Sequence, residues 1–205
     1  MTKANEVKSP WGGRDPAEER EAKRDAIIQA AAEVLAENGY HKTSLDAIAA
    51  RLGISKPTIY YYANNKNDLV AAVVSRALQQ LSKAIDGDKN APALSQLQSF
   101  IHRYAEIMTT NYGRCVSVIR DARIDGSAGE KAIEAMSQID LRIRELLQIG
   151  QQDGSIAPCD VKLTAFMIAG AINEIPRWFD ASGDLSASVV ADKYLNQLTL
   201  GLQPR

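Results

Sequence analysis

Residues 45–62 read Leu45-Asp46-Ala47-Ile48-Ala49-Ala50-Arg51-Leu52-Gly53-Ile54-Ser55-Lys56-Pro57-Thr58-Ile59-Tyr60-Tyr61-Tyr62. This stretch has the spacing of a helix-turn-helix. Two helices that cross steeply through a short turn need a small residue where they approach, and Ala49 supplies it. The turn favours a residue tolerant of left-handed backbone angles, and Gly53 supplies that. The seam between the helices must be apolar, and Ile48, Leu52, Ile54 and Ile59 all are. The exposed chemistry of the second, short helix is of another kind. Ser55, Lys56, Thr58, Tyr60 and Tyr61 are hydrogen-bonders or a cation, not the Glu/Lys mixture of a merely solvated face. A helical hairpin with no nucleic-acid role would satisfy the seam but has no need of that face.

A long helix precedes this unit. Asp15 is placed as its N-cap, Pro16 as its first residue, and Glu18 and Glu19 lie at the positive end of the helix dipole. Ile27, Ile28, Ala31, Val34 and Leu35 recur at helical spacing until Gly39. Thr43 with Asp46 offers a cap for the helix at 44–51, Ser55 a cap for the short helix, and Asn65 or Asn67 a cap for a fourth helix over 67–85. The whole chain carries a net charge of −1, which does not advertise a polyanionic partner. Between Asn38 and Lys66, however, Lys42, Arg51, Lys56 and Lys66 face one acid, Asp46. That local basic island fits a phosphate-contacting footprint.

A recognition helix presents its N-terminal residues to base edges in the major groove. Lys56 and Thr58 are therefore the candidates for base contact, and Tyr60 and Tyr61 for phosphates or thymine methyls. Lys66 and Thr43 stand at helix starts, where charge or hydroxyl joins free N–H groups in holding a phosphate. The run Thr58-Ile59-Tyr60-Tyr61-Tyr62-Ala63-Asn64-Asn65-Lys66-Asn67-Asp68-Leu69 resembles the signature of the TetR family of transcriptional regulators. The likeness extends over about residues 20–70. It implies an all-α fold, with a three-helix DNA-binding domain joined through the fourth helix to a helical ligand-binding and dimerisation domain. It implies DNA contact from Thr43, Lys56, Pro57, Thr58, Tyr60, Tyr61 and Lys66, to which Ser55 is added as one of the exposed hydrogen-bonders of the short helix. The expected division is a flexible tail over 1–14, where Trp11 and Arg14 are alternatives to a mere tail as a DNA-touching arm, a DNA-binding domain over 15–66, and the remainder over 67–205.

Past residue 85 the pattern is helical throughout, with helices expected near 92–111, 114–124, 130–152, 160–179 and 187–202, separated by Gly113, Gly126, Gly129, Gly154 and Gly183. Residues 163–172 are apolar nearly all round and must be buried on more than one side. Pro176 disturbs the end of that helix. The last helix carries Val190, Tyr194, Leu195, Leu198 and Leu202 on one stripe. These two helices either close the core of one chain or form a four-helix bundle across a two-fold axis, and the dimer is the reading adopted because paired half-sites need two recognition helices. The segments Asp153–Pro158 and Ala171–Phe179 are similar to TetR members that regulate fatty-acid, aromatic-acid and steroid catabolism, some of which sense acyl-CoA thioesters. Tyr104, Met108, Phe166, Met167 and Trp178 are read either as an apolar pocket or as ordinary core. Arg120, Arg123 and Arg177 are read as anion contacts or surface ion pairs, and Asn173 and Glu174 as ligand or interface groups.

The resulting expectation is a repressor that binds a palindromic operator as a homodimer and is released by a small-molecule effector, an acyl-CoA or hydrophobic acid. The alternatives are an activator without small-molecule control and a helical protein-interaction module. Enzymatic function is not expected: no nucleophile–base pair, metal cluster or phosphate loop is evident, and no cofactor is called for. Two cysteines, Cys115 and Cys159, and two histidines, His41 and His102, are too few for a disulfide framework or a metal cluster. Cys115 and Cys159 are read as buried thiols, with redox sensing as the alternative. The absence of a signal peptide or an apolar run of membrane-spanning length leads to a cytoplasmic location with no membrane partner.

Overall fold

Asp15 opens the first helix by accepting a hydrogen bond from the Ala17 N–H at 2.8 Å, and Pro16 occupies the first helical position behind it. The structure, a computed structural model, describes residues 15–85, 90–122 and 127–204; the expected tail with Trp11 and Arg14 and the Gly126 separator lie outside them. Among the described residues all regular structure is helical. In chain order the elements are α1 (Pro16–Lys42), α2 (Leu45–Leu52), α3 (Lys56–Tyr60), α4 (Lys66–Ile85), α5 (Ala93–Met108), α6 (Asn111–Ala122), α7 (Ser127–Gln152), α8 (Val161–Asn173), α9 (Ile175–Trp178) and α10 (Ala187–Thr199).

Two apolar clusters organise these helices. The first joins α1, α2, α3 and the first half of α4 around Ile28, Leu35, Ile48, Ile59 and Val73, and it also takes in Cys115 and Ile119 of α6. The second gathers α5, α7, α8, α9 and α10 around Leu97, Ile101, Ile143, Leu147, Ile168 and Val190, with Leu81 and Ala84 from the far half of α4. Each half of α4 is thus buried in a different cluster, with Leu78 packed against both.

Several local expectations need correction. The helix expected over 160–179 is two helices, because Glu174 ends α8 and Pro176, which cannot donate a backbone hydrogen bond, sits in the first turn of the short α9. Gly129 lies inside α7, which starts at Ser127. Gly113 likewise is no separator: it lies in the first turn of α6, where a Cβ would sit 2.5 Å from the Ile107 carbonyl oxygen. Its role is to let α6 turn back closely against the end of α5. The stripe on α10 closes the core of the single chain against α5, with Val190 and Ala191 fully buried and Tyr194, Leu195 and Leu198 packed on the same cluster. Most of that stripe is thus used within the chain.

α8 is apolar on two sides, as its composition demands. Ala165, Ile168 and Ile172 face inward, while Leu163, Phe166 and Met167 are 65%, 52% and 55% exposed. Leu141 on the neighbouring α7 is also exposed, and Arg144 of α7 lies 5.2 Å from the Phe166 ring centroid.

Candidate nucleic-acid interface

The turn between α2 and α3 is built as its sequence requires. Gly53 adopts φ 64°, ψ 29°, and its N–H donates back to the Ala49 and Ala50 carbonyls, ending α2. The Ile54 N–H also donates to Ala49, at 3.1 Å. Ile48, Ala49 and Ile59 are buried, and Leu52 and Ile54 are partly buried against the same cluster. Ile59 is the anchor of α3, at 0% exposure. With that side chain inside, a five-residue helix must turn its other faces outward, and Tyr60 and Tyr61 are 50% and 80% exposed. Pro57 is exposed beside them, and Thr58 is partly exposed.

Caps differ in detail from the expected pattern. Ser44, not Thr43, caps α2, accepting from the Ala47 N–H at 3.1 Å. The Thr43 hydroxyl donates to the Gly39 carbonyl at 2.8 Å, and Thr43 is only 4% exposed. Thr43 therefore closes the end of α1 as its C-cap, bonded back to Gly39 where the backbone leaves helical geometry, and its hydroxyl is not presented outward. Ser55 holds the N-cap position of α3 without a side-chain bond to the backbone; its hydroxyl meets that of Thr58 at 2.9 Å. Asn65 caps α4 by accepting from the Asp68 N–H at 3.0 Å, and Asp68 reaches back to the Asn64 N–H at the same distance. Asn67, the other candidate cap, instead accepts from the Tyr40 hydroxyl at 2.7 Å.

The basic island resolves into cations with different partners. Arg51 turns toward α1, pairing with Glu33 at 3.3 Å and with Glu37, and these carboxylates raise its pKa. Lys66 places its ammonium 3.1 Å from the Tyr40 carbonyl and 4.1 Å from the centre of the Tyr40 ring. Lys56, the first residue of α3, meets Asp46 of α2 at 2.8 Å, and that contact raises the lysine pKa. The pairing of Lys56 with Asp46, and the cap at Ser44, were not anticipated from sequence. Residues ten apart on two helices that cross through a turn share no simple periodic spacing.

The residues expected to hold a ligand divide into two groups. Tyr104 and Met108 lie fully buried in the second cluster, and the Tyr104 hydroxyl donates to the Asn173 side-chain oxygen at 2.5 Å. Phe100 stacks on Tyr104 with centroids 5.7 Å apart. Ser117 is also buried there, its hydroxyl 3.5 Å from the Asn173 carbonyl. Phe166, Met167 and Trp178 are instead half exposed on the outside of the chain, so they do not line a pocket with Tyr104. The reason is that the inner sides of α8 and α9 are already filled by Ile168, Ile172 and Ile175. Trp178 stacks on Tyr194 with centroids 6.2 Å apart, and Arg177 is exposed with its Nε 3.4 Å from Glu174. The Arg120 side chain and Arg123 lie outside the described residues. Among the described residues no cluster of His, Cys, Asp and Glu could hold a metal ion, and no helix is long and apolar enough to cross a membrane.

Comparison with known proteins adds to this geometry. Residues 27–73 match the family of bacterial regulatory proteins named for tetR, and residues 90–202 match the C-terminal domain described as Tetracyclin repressor-like. The fatty acid metabolism regulator protein of Bacillus subtilis is 29% identical over 183 residues, spanning 86% of this chain and 93% of that protein. The ketosteroid transcriptional regulator KstR2 of Mycobacterium tuberculosis superposes with a TM-score of 0.77 at 21% identity, over 89% of this chain and 96% of its own. AibR, solved in complex with isovaleryl coenzyme A and operator DNA, gives a TM-score of 0.71 at 24% identity, over 85% of this chain and 97% of its own.

Proposed function

Because the chain belongs to the TetR family of transcriptional regulators, we propose that it is a repressor that binds a palindromic operator as a homodimer and leaves it when a small-molecule effector binds. The observation that carries the DNA-binding part is the outward face of α3: Tyr60 and Tyr61 exposed beside Ser55, Lys56, Pro57 and Thr58, on a helix held by the buried Ile59. That face offers donors and a cation at groove-reading positions. The homodimer is supported by Leu163, Phe166 and Met167, a contiguous apolar strip on α8 that a second copy would cover. Two α3 helices would then meet half-sites about 34–36 Å apart. The working division is residues 15–66 for DNA and 67–205 for effector and partner copy, acting in the cytoplasm and without enzymatic activity.

The effector is assigned as an acyl-CoA thioester or hydrophobic acid. The likeness to the Bacillus subtilis fatty acid regulator and the AibR complex supports this class. Tyr104, fully buried in the apolar cluster, and the partly buried Asn173 that accepts its hydroxyl are the groups best placed to orient such a ligand. The effector works only by binding the DNA-incompetent state more tightly. α4 is the lever, since its two halves are packed in different clusters, and the Arg76–Asp25 ion pair fastens its middle to α1.

The test uses a duplex selected from a random library by the protein itself. Fluorescence anisotropy then follows binding as butyryl-, isovaleryl-, octanoyl- and palmitoyl-CoA, the matching free acids, or CoA alone are added. Release by an acylated species but not by CoA is the expected result. Tighter DNA binding with effector overturns the induction mechanism. Failure of any duplex to enrich overturns the DNA-binding reading.

A further inference from the structure

The first residue of the recognition helix is a lysine, and lysine is a poor reader of sequence when left to itself. Its compact charge rides on a flexible four-carbon stem that reaches phosphate as readily as a base edge. In this chain the stem is not left to itself. Asp46, in the first turn of α2, holds the Lys56 ammonium at 2.8 Å across the turn. Asp46 is also the sole acid between Asn38 and Lys66. Of the other cations in the island, Arg51 is taken by Glu33 and Glu37 and Lys66 by the Tyr40 carbonyl, while Lys42 is exposed at the end of α1.

We propose that Asp46 is a selectivity residue: it positions Lys56 and opposes phosphate contact, so that the α3 cation is released only to a base edge that satisfies it better than the carboxylate does. This rests on the DNA-binding reading of α3.

Stability does not account for the pair. The two side chains are 41% and 68% exposed, and exposed ion pairs of this kind contribute little to folding. A carboxylate turned toward a polyanion also weakens binding to every sequence. Such a group is useful only if it weakens wrong sequences more than right ones. Free Lys56 would neutralise one phosphate on any duplex. Held by Asp46, it must exchange one oxygen partner for another, and the acceptor pair on guanine, O6 and N7, repays that exchange where a screened, mobile phosphate contact does not. Asp46 acts through Lys56 and is a positioning residue, not a DNA ligand.

The experiment compares the full-length wild-type chain with Asp46→Asn, Lys56→Gln and the double variant. Each is titrated with the duplex selected by the wild-type protein and with a scrambled duplex of the same composition, at several salt concentrations. Asp46→Asn is expected to bind the scrambled duplex about tenfold tighter, to steepen its salt dependence by about 0.9, the slope of one added phosphate contact, and to lower the selected-to-scrambled ratio about tenfold. Most of that gain must vanish when Lys56 is Gln. An unchanged ratio, or an equal gain with and without Lys56, overturns the proposal and leaves the DNA-binding reading intact. If no duplex is selected by the wild-type chain, both fall together. Should thermal unfolding show Asp46→Asn misfolded, Asp46→Ser keeps a residue suited to a helix first turn and is held to the same outcomes.

Discussion

Cys115 lies on the seam between α6 and α1, fully buried, with its thiol donating to the Ala32 carbonyl at 3.2 Å. Burial pushes its pKa up from 9.0 to about 12, so the reactive thiolate is suppressed and Cys115 serves as packing, not as a redox sensor. The folded state holds this proton more tightly than the unfolded chain does. The Cys115 contribution to stability is therefore level below about pH 9 and falls as pH climbs toward about 12. At pH 8 a thiol reagent is expected to label the partly exposed Cys159 first and Cys115 only on unfolding; rapid labelling of Cys115 in the native protein would contradict this. Sequence alone left Cys115 either buried or sensing, because burial depends on α1 and α6 meeting from positions 83 residues apart.

At the scale of elements, the start of α1 was legible because one polar side chain decides it, Asp15 accepting a backbone N–H as its position predicts. Asp160 and Ser186 cap α8 and α10 in the same way, at starts that periodicity placed near 160 and 187 without naming the cap. The choice between neighbouring candidates was not legible, as Thr43 against Ser44 and Asn65 against Asn67 illustrate. In both cases the rejected residue is bonded to the last turn of α1, through the Gly39 carbonyl or the Tyr40 hydroxyl. The α4 cap yields a direct prediction. Asn65→Ala should cost about 1 kcal/mol in urea unfolding, whereas Asn67→Ala should leave the cap intact and lose the Tyr40 contact alone. Equal effects on the α4 amide exchange of residues 66–69 would reverse the assignment.

Across the whole molecule, two apolar clusters share α4, and α6 reaches from the second half of the chain into the first cluster through Cys115 and Ile119. On the proposed mechanism, α4 and α6 are the two packed connections through which effector binding would reach α1–α3. The outer strip of α8 carries the assembly prediction: Met167→Glu should convert a two-chain species to a single chain by sedimentation, with helical content unchanged. Selected-duplex binding should weaken roughly 100-fold, as expected when linked engagement of two half-sites is lost. A variant that still sediments as two chains would move the interface away from α8. The sequence by itself determined the helical class, the α2–α3 unit and the outward chemistry of α3, because these depend on period, a turn glycine and residue type within eighteen positions. Tertiary structure decided which apolar stripes are spent inside the chain, sending α10 to the core and leaving one face of α8 open. It also decided which cations are already paired. Both outcomes depend on distances between helices far apart in sequence, and hydrophobic periodicity states that a face must be covered without stating by what.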